Sequence, residues 1–203
     1  FCLLAVQDTI DVRELTDARH TVFNSTVSEL IYKDGDIAFR RGRDLMARIV
    51  LSKGDIAPRY SHVGVVVTYG THAFVVHSVP GDQNSAGGVI VEPVGQFSSP
   101  RHASEFGLYR VIGLTDELRS KVREYALAQV GKPFDDQFLF SDSQALYCTE
   151  LVIKSFQSAG NEMAAQLPFV RVMMLSEPVV PPDYLRRSPT LMLVGEAHLN
   201  SRD

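Results

Sequence analysis

The pattern of apolar and polar positions predicts strands in the middle of the chain and helices before and after them. Residues 8–30 place spaced leucines and valines among charged residues, and residues 43–52 repeat this spacing, so both segments are predicted to be helical. Five apolar, β-branched runs predict strands, at residues 37–39, 62–67, 73–79, 89–94 and 107–112. A turn at Tyr69-Gly70 would join the second and third runs into a β-hairpin.

Two further helices are predicted after the strands. The first has Thr115 as its N-cap, acidic residues in its first turn and Gly131 at the C′ position. The second begins near Cys148 and stops at Gly160. Contiguous strands with helices beside them indicate an α+β fold, in which a mainly antiparallel sheet packs against helices.

Composition narrows the class of protein. With 203 residues, of which 45% are hydrophobic and 22% charged, the chain fits one globular domain. The net charge of −4 argues against a nucleic-acid partner, because such proteins usually carry a clear basic patch. The apolar stretch at residues 1–6 is too short for a membrane span or a complete signal sequence, so no localisation is assigned. Four arginines form a local basic cluster: Arg40, Arg41, Arg43 and Arg48. A solvated helix face is favoured over an anion-binding site as its interpretation.

Cys148 is the candidate nucleophile. It is one of two cysteines, the other being Cys2, and two cysteines do not make a disulfide framework. A thiol attacks as the thiolate, which a helix N-terminus or a nearby imidazole favours. Because Cys148 stands where a helix begins, its sulfur is expected at the positive end of the helix dipole. From this position alone, a buried structural cysteine is an equally good interpretation.

His62 and His77 are the candidate partners of this thiol. His62 opens one strand of the predicted hairpin and His77 lies within the other, so the two could share a face, although the sequence does not fix the register. A nucleophile, a base and a third polar group that orients the base form the generalised triad, and His77 or Glu92 could fill the third position. The histidines lack acidic or thiol neighbours at metal-ligand spacing, so neither a metal nor another cofactor is expected.

Five motifs, in order along the chain, resemble the permuted branch of the NlpC/P60 superfamily. This branch comprises the YiiX/YebB-like papain-like cysteine hydrolases, related to lecithin retinol acyltransferase-like proteins. The matching motifs are GDIAF at residues 35–39, SHVGV at 61–65, GKPFD at 131–135, YCTELV at 147–152 and PPDYL at 181–185. The resemblance implies a circularly permuted papain-like fold in which the histidine precedes the cysteine. It also implies that Cys148 is the nucleophile and that His62 is the catalytic histidine.

The chain departs from the family pattern in two places. Many YiiX-like sequences carry a glutamate where this chain has His77, whereas the acyltransferase relatives carry a histidine there. A triad of Cys148, His62 and His77 is therefore predicted, with Glu92 in reserve. The N-terminal part matches nothing in the family, so the predicted domains are a helical extension at residues 1–32 and a catalytic domain at residues 33–203.

The resemblance implies acyl transfer to the Cys148 thiol. In the favoured scheme, His62 takes the thiol proton, and the Cys148 backbone N–H with a second donor holds the oxyanion of the tetrahedral intermediate. Tyr60 is the first candidate for that donor. Tyr147 is the other residue expected to bind the substrate or the oxyanion.

The favoured substrate is a peptidoglycan stem peptide, cleaved at an amide bond, because the superfamily includes peptidoglycan peptide hydrolases. The protein would then act as an antibacterial effector delivered to the bacterial periplasm, with a delivery or immunity protein as a partner. Lipid acyl chemistry, by an acyl hydrolase, thioesterase or acyltransferase, is the alternative, and the pair of histidines slightly favours it. A non-catalytic binding module is a third hypothesis, which the intact Cys148 and His62 argue against.

Overall fold

The computed structural model describes residues 25–43, 58–82, 86–161, 167, 169–172 and 175–199. The helices of this part are α1 (Ser25–Ser28), α2 (Val94–Phe97), α3 (Asp116–Ala128), α4 (Cys148–Ser158) and α5 (Pro182–Arg186). The strands are β1 (Ile37–Gly42), β2 (His62–Tyr69), β3 (His72–Pro80), β4 (Gly87–Pro93), β5 (Ala103–Val111) and β6 (Leu191–His198). Most of the helix predicted at residues 8–30, and nearly all of that at 43–52, lies outside the described residues.

Strands β1 to β6 form one antiparallel sheet in the order β4-β3-β2-β1-β5-β6. The first four strands are neighbours in chain order and so form a meander, and β5 returns to pair with the free side of β1. The predicted α+β fold with a mainly antiparallel sheet is therefore confirmed. Tyr69 pairs with His72, so the hairpin turn between β2 and β3 occupies residues 70–71.

Two apolar clusters cover the two faces of the sheet. The larger cluster joins Val63 and Val65 of β2 to side chains of α3 and α4 such as Val122 and Leu151. The smaller cluster contains Val66, the neighbour of Val65 in the chain, because successive side chains of a strand point to opposite faces. The burial of apolar surface on both faces is the main force that holds the helices against the sheet.

The two longer helices begin where the sequence predicts. The Thr115 hydroxyl caps α3, but Gln129 is the C-cap, so Gly131, with a φ of 90°, lies one residue beyond the C′ position predicted for it. Helix α4 begins at Cys148, and Gly160, with a φ of 71°, follows its C-cap as predicted. Within the described part of the chain, no helix has the length and apolar character that crossing a membrane requires.

The arginine cluster does not form a helix face. Arg40 and Arg41 lie in β1, so the interpretation as a solvated helix face is wrong for these two residues. Arg43 follows the strand and donates hydrogen bonds to two backbone carbonyls. Arg48 lies outside the described residues.

The hydrogen-bonded ladder between β2 and β3 does not extend to the start of β2. This ladder begins at Val65↔Val76, whereas β1 pairs with β2 as far as His62. Within the described residues, positions 62–64 pair with β1 and not with β3, so the backbone of Val63 is available to another partner on that side. The backbone N–H of Val63 lies beside Cys148, the first residue of α4.

Candidate active site

Cys148 is the first residue of α4, and hydrogen bonds fix the segment that leads into it. The buried Ser78 hydroxyl on β3 donates to the Leu146 carbonyl. The Tyr147 backbone N–H donates to the Glu150 carboxylate at 3.2 Å, which occupies one of the donors that a helix start leaves unpaired. The position of the Cys148 backbone is thus set both by the sheet and by the helix itself.

The Cys148 thiol is set among backbone donors. Burial raises the pKa of this thiol to about 11, and it outweighs several groups that favour the thiolate. Those groups are the backbone N–H of Thr149, Val63 and Cys148 itself, together with the positive charge of Arg40. The side chain is a free thiol and is partly exposed, so it is protonated at neutral pH yet open to a substrate.

The contact with Val63 places the sulfur beside the peptide bond that joins His62 to Val63. Among the described residues, no hydrogen bond links the Cys148 thiol to the His62 ring, which is bonded to His77 instead. His62 Nε2 lies 2.8 Å from His77 Nδ1, and the two rings meet edge to face with their centroids 5.0 Å apart. The structure therefore brings the His62 and His77 rings into contact, and it places the Cys148 sulfur beside the backbone that follows His62.

Gly64 makes the contact between the two histidines sterically feasible. A Cβ at this position would lie 2.8 Å from the Cβ of His77 and 2.4 Å from a methyl group of Val75. Such distances are far below van der Waals contact, so the backbone of β2 approaches β3 here as only glycine allows. His62 is partly exposed and His77 is buried.

Glu92 and Arg40 extend the pair of histidines. His77 Nε2 lies 2.9 Å from Glu92 Oε1, although the contact is bent and does not reach good hydrogen-bond alignment. Arg40 Nη1 lies 3.2 Å from the same oxygen. The ring of Phe97 contacts both imidazoles and lies under the guanidinium of Arg40, so a hydrophobic wall encloses the group.

Burial and charge set the protonation states of the two histidines and of Glu92. Burial, then the charge of Arg40, lowers the pKa of His62 well below its ordinary value. Burial also lowers the pKa of His77, although Glu92 partly opposes it. Burial alone would raise the pKa of Glu92, but the contact with His77 and the charge of Arg40 outweigh it and lower that pKa. At neutral pH, both imidazoles are neutral and the carboxylate is ionised.

These protonation states give the cluster one simple arrangement of protons. The Glu92 carboxylate can only accept, so His77 carries its proton on Nε2 and presents Nδ1 as an acceptor. His62 then donates from Nε2 to His77 and keeps a lone pair on Nδ1. A lone pair on the free nitrogen of His62 is what a general base for a neighbouring thiol requires.

Tyr60 does not fit the role of oxyanion donor that the sequence suggested for it. Its side chain is buried, and its hydroxyl donates to Glu196 on β6 at 3.2 Å. The Tyr109 hydroxyl donates to the same carboxylate oxygen at 2.8 Å. Tyr60 is therefore used in a structural network at the β6 side of the sheet, and a backbone N–H beside Cys148 is a better candidate.

Tyr147 stays a candidate for substrate or oxyanion binding. Its side chain is buried, and within the described residues its hydroxyl has no hydrogen-bond partner. Its ring packs on that of Phe138, with the centroids 5.2 Å apart. A buried hydroxyl without a partner costs free energy, which an incoming polar group could recover.

Sequence reasoning missed Arg40, Ser78 and the backbone N–H of Val63 as parts of this site. Arg40 sits in a run of arginines, which are usually solvated, and nothing in the local pattern distinguishes it from the others. Ser78 acts through a contact with a segment 68 residues away. One available signal was Gly64, because a glycine inside a strand often marks a close backbone approach.

Comparisons with known proteins identify the family of the chain. Residues 31–195 match the model of a family described as permuted papain-like amidase enzymes, YaeF/YiiX, C92 family. The uncharacterized protein YiiX of Escherichia coli strain K12 is 28% identical over 149 residues, which cover 72% of this chain and 68% of that protein. The crystal structure of metalloprotein yiiX from Escherichia coli O157:H7, DUF1105, has a TM-score of 0.66 and 25% identity, and the match covers 82% of this chain and 98% of that one. The chain belongs to the C92 family of permuted papain-like amidases and is a cysteine hydrolase.

Proposed function

We propose that the protein cleaves an amide bond in peptidoglycan stem peptides, with Cys148 as nucleophile, His62 as general base and His77 as the residue that orients the base. The observation that carries this proposal is the position of the thiol. Cys148 begins α4 and touches the N–H that follows His62, while His62 keeps its second nitrogen free of His77. The amidase description of the family supports an amide over an ester as the substrate bond.

The first chemical step forms the bond between sulfur and the substrate carbonyl carbon. His62 Nδ1 takes the thiol proton as the sulfur attacks, and the carbonyl electron pair moves onto oxygen. In this scheme the thiol and the ring align when substrate binds, because catalytic hydrogen bonds often tighten only then. The protonated imidazole then gives its proton to the leaving amine, and the carbon–nitrogen bond breaks.

The second step releases the acyl group. A water molecule attacks the thioester while His62 takes one of its protons, and the thiolate leaves and recovers the proton from His62. In both steps the oxyanion needs fixed donors. The backbone N–H groups of Cys148 and Val63 surround the sulfur, so we propose that they form the oxyanion hole in place of Tyr60.

His77 and Glu92 stabilise the imidazolium that forms on His62. When His62 gains a proton at Nδ1, its Nε2–H bond to His77 strengthens, because the donor is now charged. Glu92 balances the positive charge through His77. The roles that the sequence left as alternatives are thus combined, with His77 in contact with the base and Glu92 behind it.

The proposed mechanism uses no metal. The related Escherichia coli structure is described as a metalloprotein. In the described part of this chain, no group of three or more His, Cys, Asp or Glu side chains could hold a metal ion. The facing nitrogens of His62 and His77 are 2.8 Å apart and bonded to each other, so they do not converge on a common metal position.

A lipid acyl substrate is the second candidate, and an aromatic group near Cys148 favours it. Phe138 packs on Tyr147, the residue before the nucleophile, and Phe134 packs on Phe138. Both phenylalanines are partly exposed. An apolar surface of this kind suits an acyl chain at least as well as a peptide.

An effector role follows only from a cell-wall substrate. If peptidoglycan is the substrate, we expect delivery to the periplasm of a bacterium, where the protein would meet it. A delivery protein would then bring it there, and an immunity protein would protect the producing cell. Both partners belong to this proposal, and both depend on the protein cleaving peptidoglycan.

The test compares the wild type with Cys148→Ala on purified peptidoglycan, with mass spectrometry of the soluble products. New muropeptide fragments from the wild type alone would support the proposal and identify the bond. Unchanged peptidoglycan would contradict it. In that case the same pair of proteins is assayed on acyl thioesters and phospholipids, where release of free fatty acid by the wild type alone would support the lipid candidate.

A further inference from the structure

Arg40 is a charged side chain held inside the protein beside the proposed base. Only 12% of its side chain is exposed. It lies opposite His62 in the register between β1 and β2. Its Nη1 donates to Glu92 Oε1 at 3.2 Å and to the Phe97 carbonyl at 3.3 Å, and its guanidinium lies 4.6 Å from the centre of the Phe97 ring. A guanidinium in such a place needs a carboxylate partner, and Glu92 supplies it.

A single oxygen atom of Glu92 joins the guanidinium to the imidazole of His77. Oε1 accepts from Arg40 at 3.2 Å and lies 2.9 Å from His77 Nε2. His77 in turn holds His62 at 2.8 Å. Arg40 therefore stands at one end of an unbroken chain of contacts that finishes at the proposed base.

We propose that Arg40 is a positioning residue for the base: it fixes Glu92, which orients His77 and through it His62, and its positive charge acts on both members of the reacting pair. This inference rests on the proposed roles of Cys148 and His62. Arg40 itself does not touch the substrate in this scheme. It positions His62 through Glu92 and His77, and its charge acts on His62 and Cys148 across space.

The charge of Arg40 affects the pKa values of several groups in the site. After burial, its charge contributes to lowering the pKa of His62 and of His77, and it lowers the pKa of Cys148 against burial. Removing that charge therefore moves the titration of both the thiol and the base to higher pH. The titratable and charged groups that face one another here are Arg40 from β1, His62 from β2, His77 from β3, Glu92 from β4, His102 ahead of β5, and Cys148 from α4.

The first measurement is the pH dependence of Cys148 alkylation by iodoacetamide, followed by mass spectrometry of the peptide that contains Cys148. Wild type is compared with Arg40→Met, which removes the charge, and with Arg40→Lys, which keeps it. Arg41→Met is the matched control, because Arg41 is the next residue of β1 and its side chain is 39% exposed. The double variant Arg40→Met/Glu92→Gln leaves no unpaired buried charge and serves if Arg40→Met alone fails to fold.

We expect the alkylation profile of Arg40→Met to move to higher pH, with alkylation at pH 7 slower by about threefold to tenfold. The double variant is expected to shift in the same direction but by less, because Glu92→Gln also removes a negative charge 3.2 Å from the guanidinium. Arg40→Lys and Arg41→Met should follow the wild-type profile. An unchanged profile in a folded Arg40→Met or double variant would overturn the proposal. A shift in Arg40→Lys as large as in Arg40→Met would also overturn it, because the charge would then not be the cause.

A second measurement tests the orientation of the base. The His62 ring proton that is shared with His77 should give a downfield, slowly exchanging proton NMR signal in the wild type. Loss of that signal in Arg40→Met supports the positioning role, and its persistence contradicts it. Neither measurement uses a substrate, so failure to cleave peptidoglycan would count against the proposed function alone.

Discussion

Gly64 and His77 approach so closely that a Cβ on residue 64 would lie 2.8 Å from the Cβ of His77. We therefore expect Gly64→Ala to displace His77 and break its bond to His62. Overpacking of this kind costs about 1–3 kcal/mol of unfolding free energy, and most of the activity should be lost as well. Urea denaturation and turnover assays on the same preparation measure both effects.

Gly195→Ala is the control for this substitution. Its Cβ would meet the end of the flexible Leu30 side chain, at 2.4 Å, on β6 and away from the histidines. This variant should lose some stability but keep its turnover once folded. If Gly64→Ala and Gly195→Ala lost activity only in proportion to stability, the steric role assigned to Gly64 would be wrong.

Substitution of the three proposed catalytic side chains should produce graded losses of activity. Cys148→Ala and His62→Ala are each expected to reduce kcat/KM by about 1,000-fold or more, because each removes a group that takes part in bond making. His77→Ala should lose less, about 10-fold to 100-fold, since it orients the base without contacting the substrate. Circular dichroism checks that all three variants stay folded. Normal turnover by Cys148→Ala or His62→Ala would refute the assignment.

The resting thiol and imidazole are expected to form a neutral pair. Burial raises the pKa of Cys148 to about 11 and lowers the pKa of His62 well below 6.5. The base works when neutral, so kcat/KM should stay level through neutral pH and fall only on the acid side, below 6.5. The ultraviolet absorbance of a thiolate, measured as wild type minus Cys148→Ala, should be absent at neutral pH. A thiolate signal at pH 7 would instead indicate a preformed ion pair.

The buried histidines should make stability depend on pH. The pKa of His62 and of His77 is lower in the folded protein than the ordinary value of 6.5, so the unfolded chain binds more protons as the pH falls. The free energy of unfolding is therefore greatest above pH 6.5. It decreases as the pH drops from 6.5 through the folded-state pKa values. Urea denaturation across this range measures the slope. His77→Gln should flatten it, and an equal slope in this variant would exclude His77 as a source.

Ser78→Ala tests the anchor between the sheet and the nucleophile. The hydroxyl donates to the Leu146 carbonyl, two residues before Cys148, so its loss should lower kcat while costing only about 1 kcal/mol of stability. Ser155→Ala is a matched control, because Ser155 is also buried and donates to the Leu151 carbonyl at 2.7 Å within α4. Equal effects of the two substitutions on kcat would show that Ser78 has no special role.

Much of the fold was predictable because its signals are local. The β-branched runs and the N-cap of α3 each depend on residues close together in the chain, and the structure agrees with them. The relation between His62 and His77 was open, because the register of a hairpin depends on contacts made in three dimensions. Arg40 was misplaced for a similar reason, since only the burial of β1 between β2 and β5 shows that this arginine is enclosed.

The four-strand meander has a consequence for the way the active site is encoded. The proposed base and the residues that position it come from the successive strands β1 to β4: Arg40, His62, His77 and Glu92. One continuous segment of the sequence therefore encodes this part of the site. The nucleophile belongs to a separate module, α4, that docks against this stretch. Chemistry requires the two modules to meet but not to follow one another in a given order. A circular permutation, which moves the chain ends, could therefore exchange the order of the two modules in the sequence. Each module would keep its own catalytic residues.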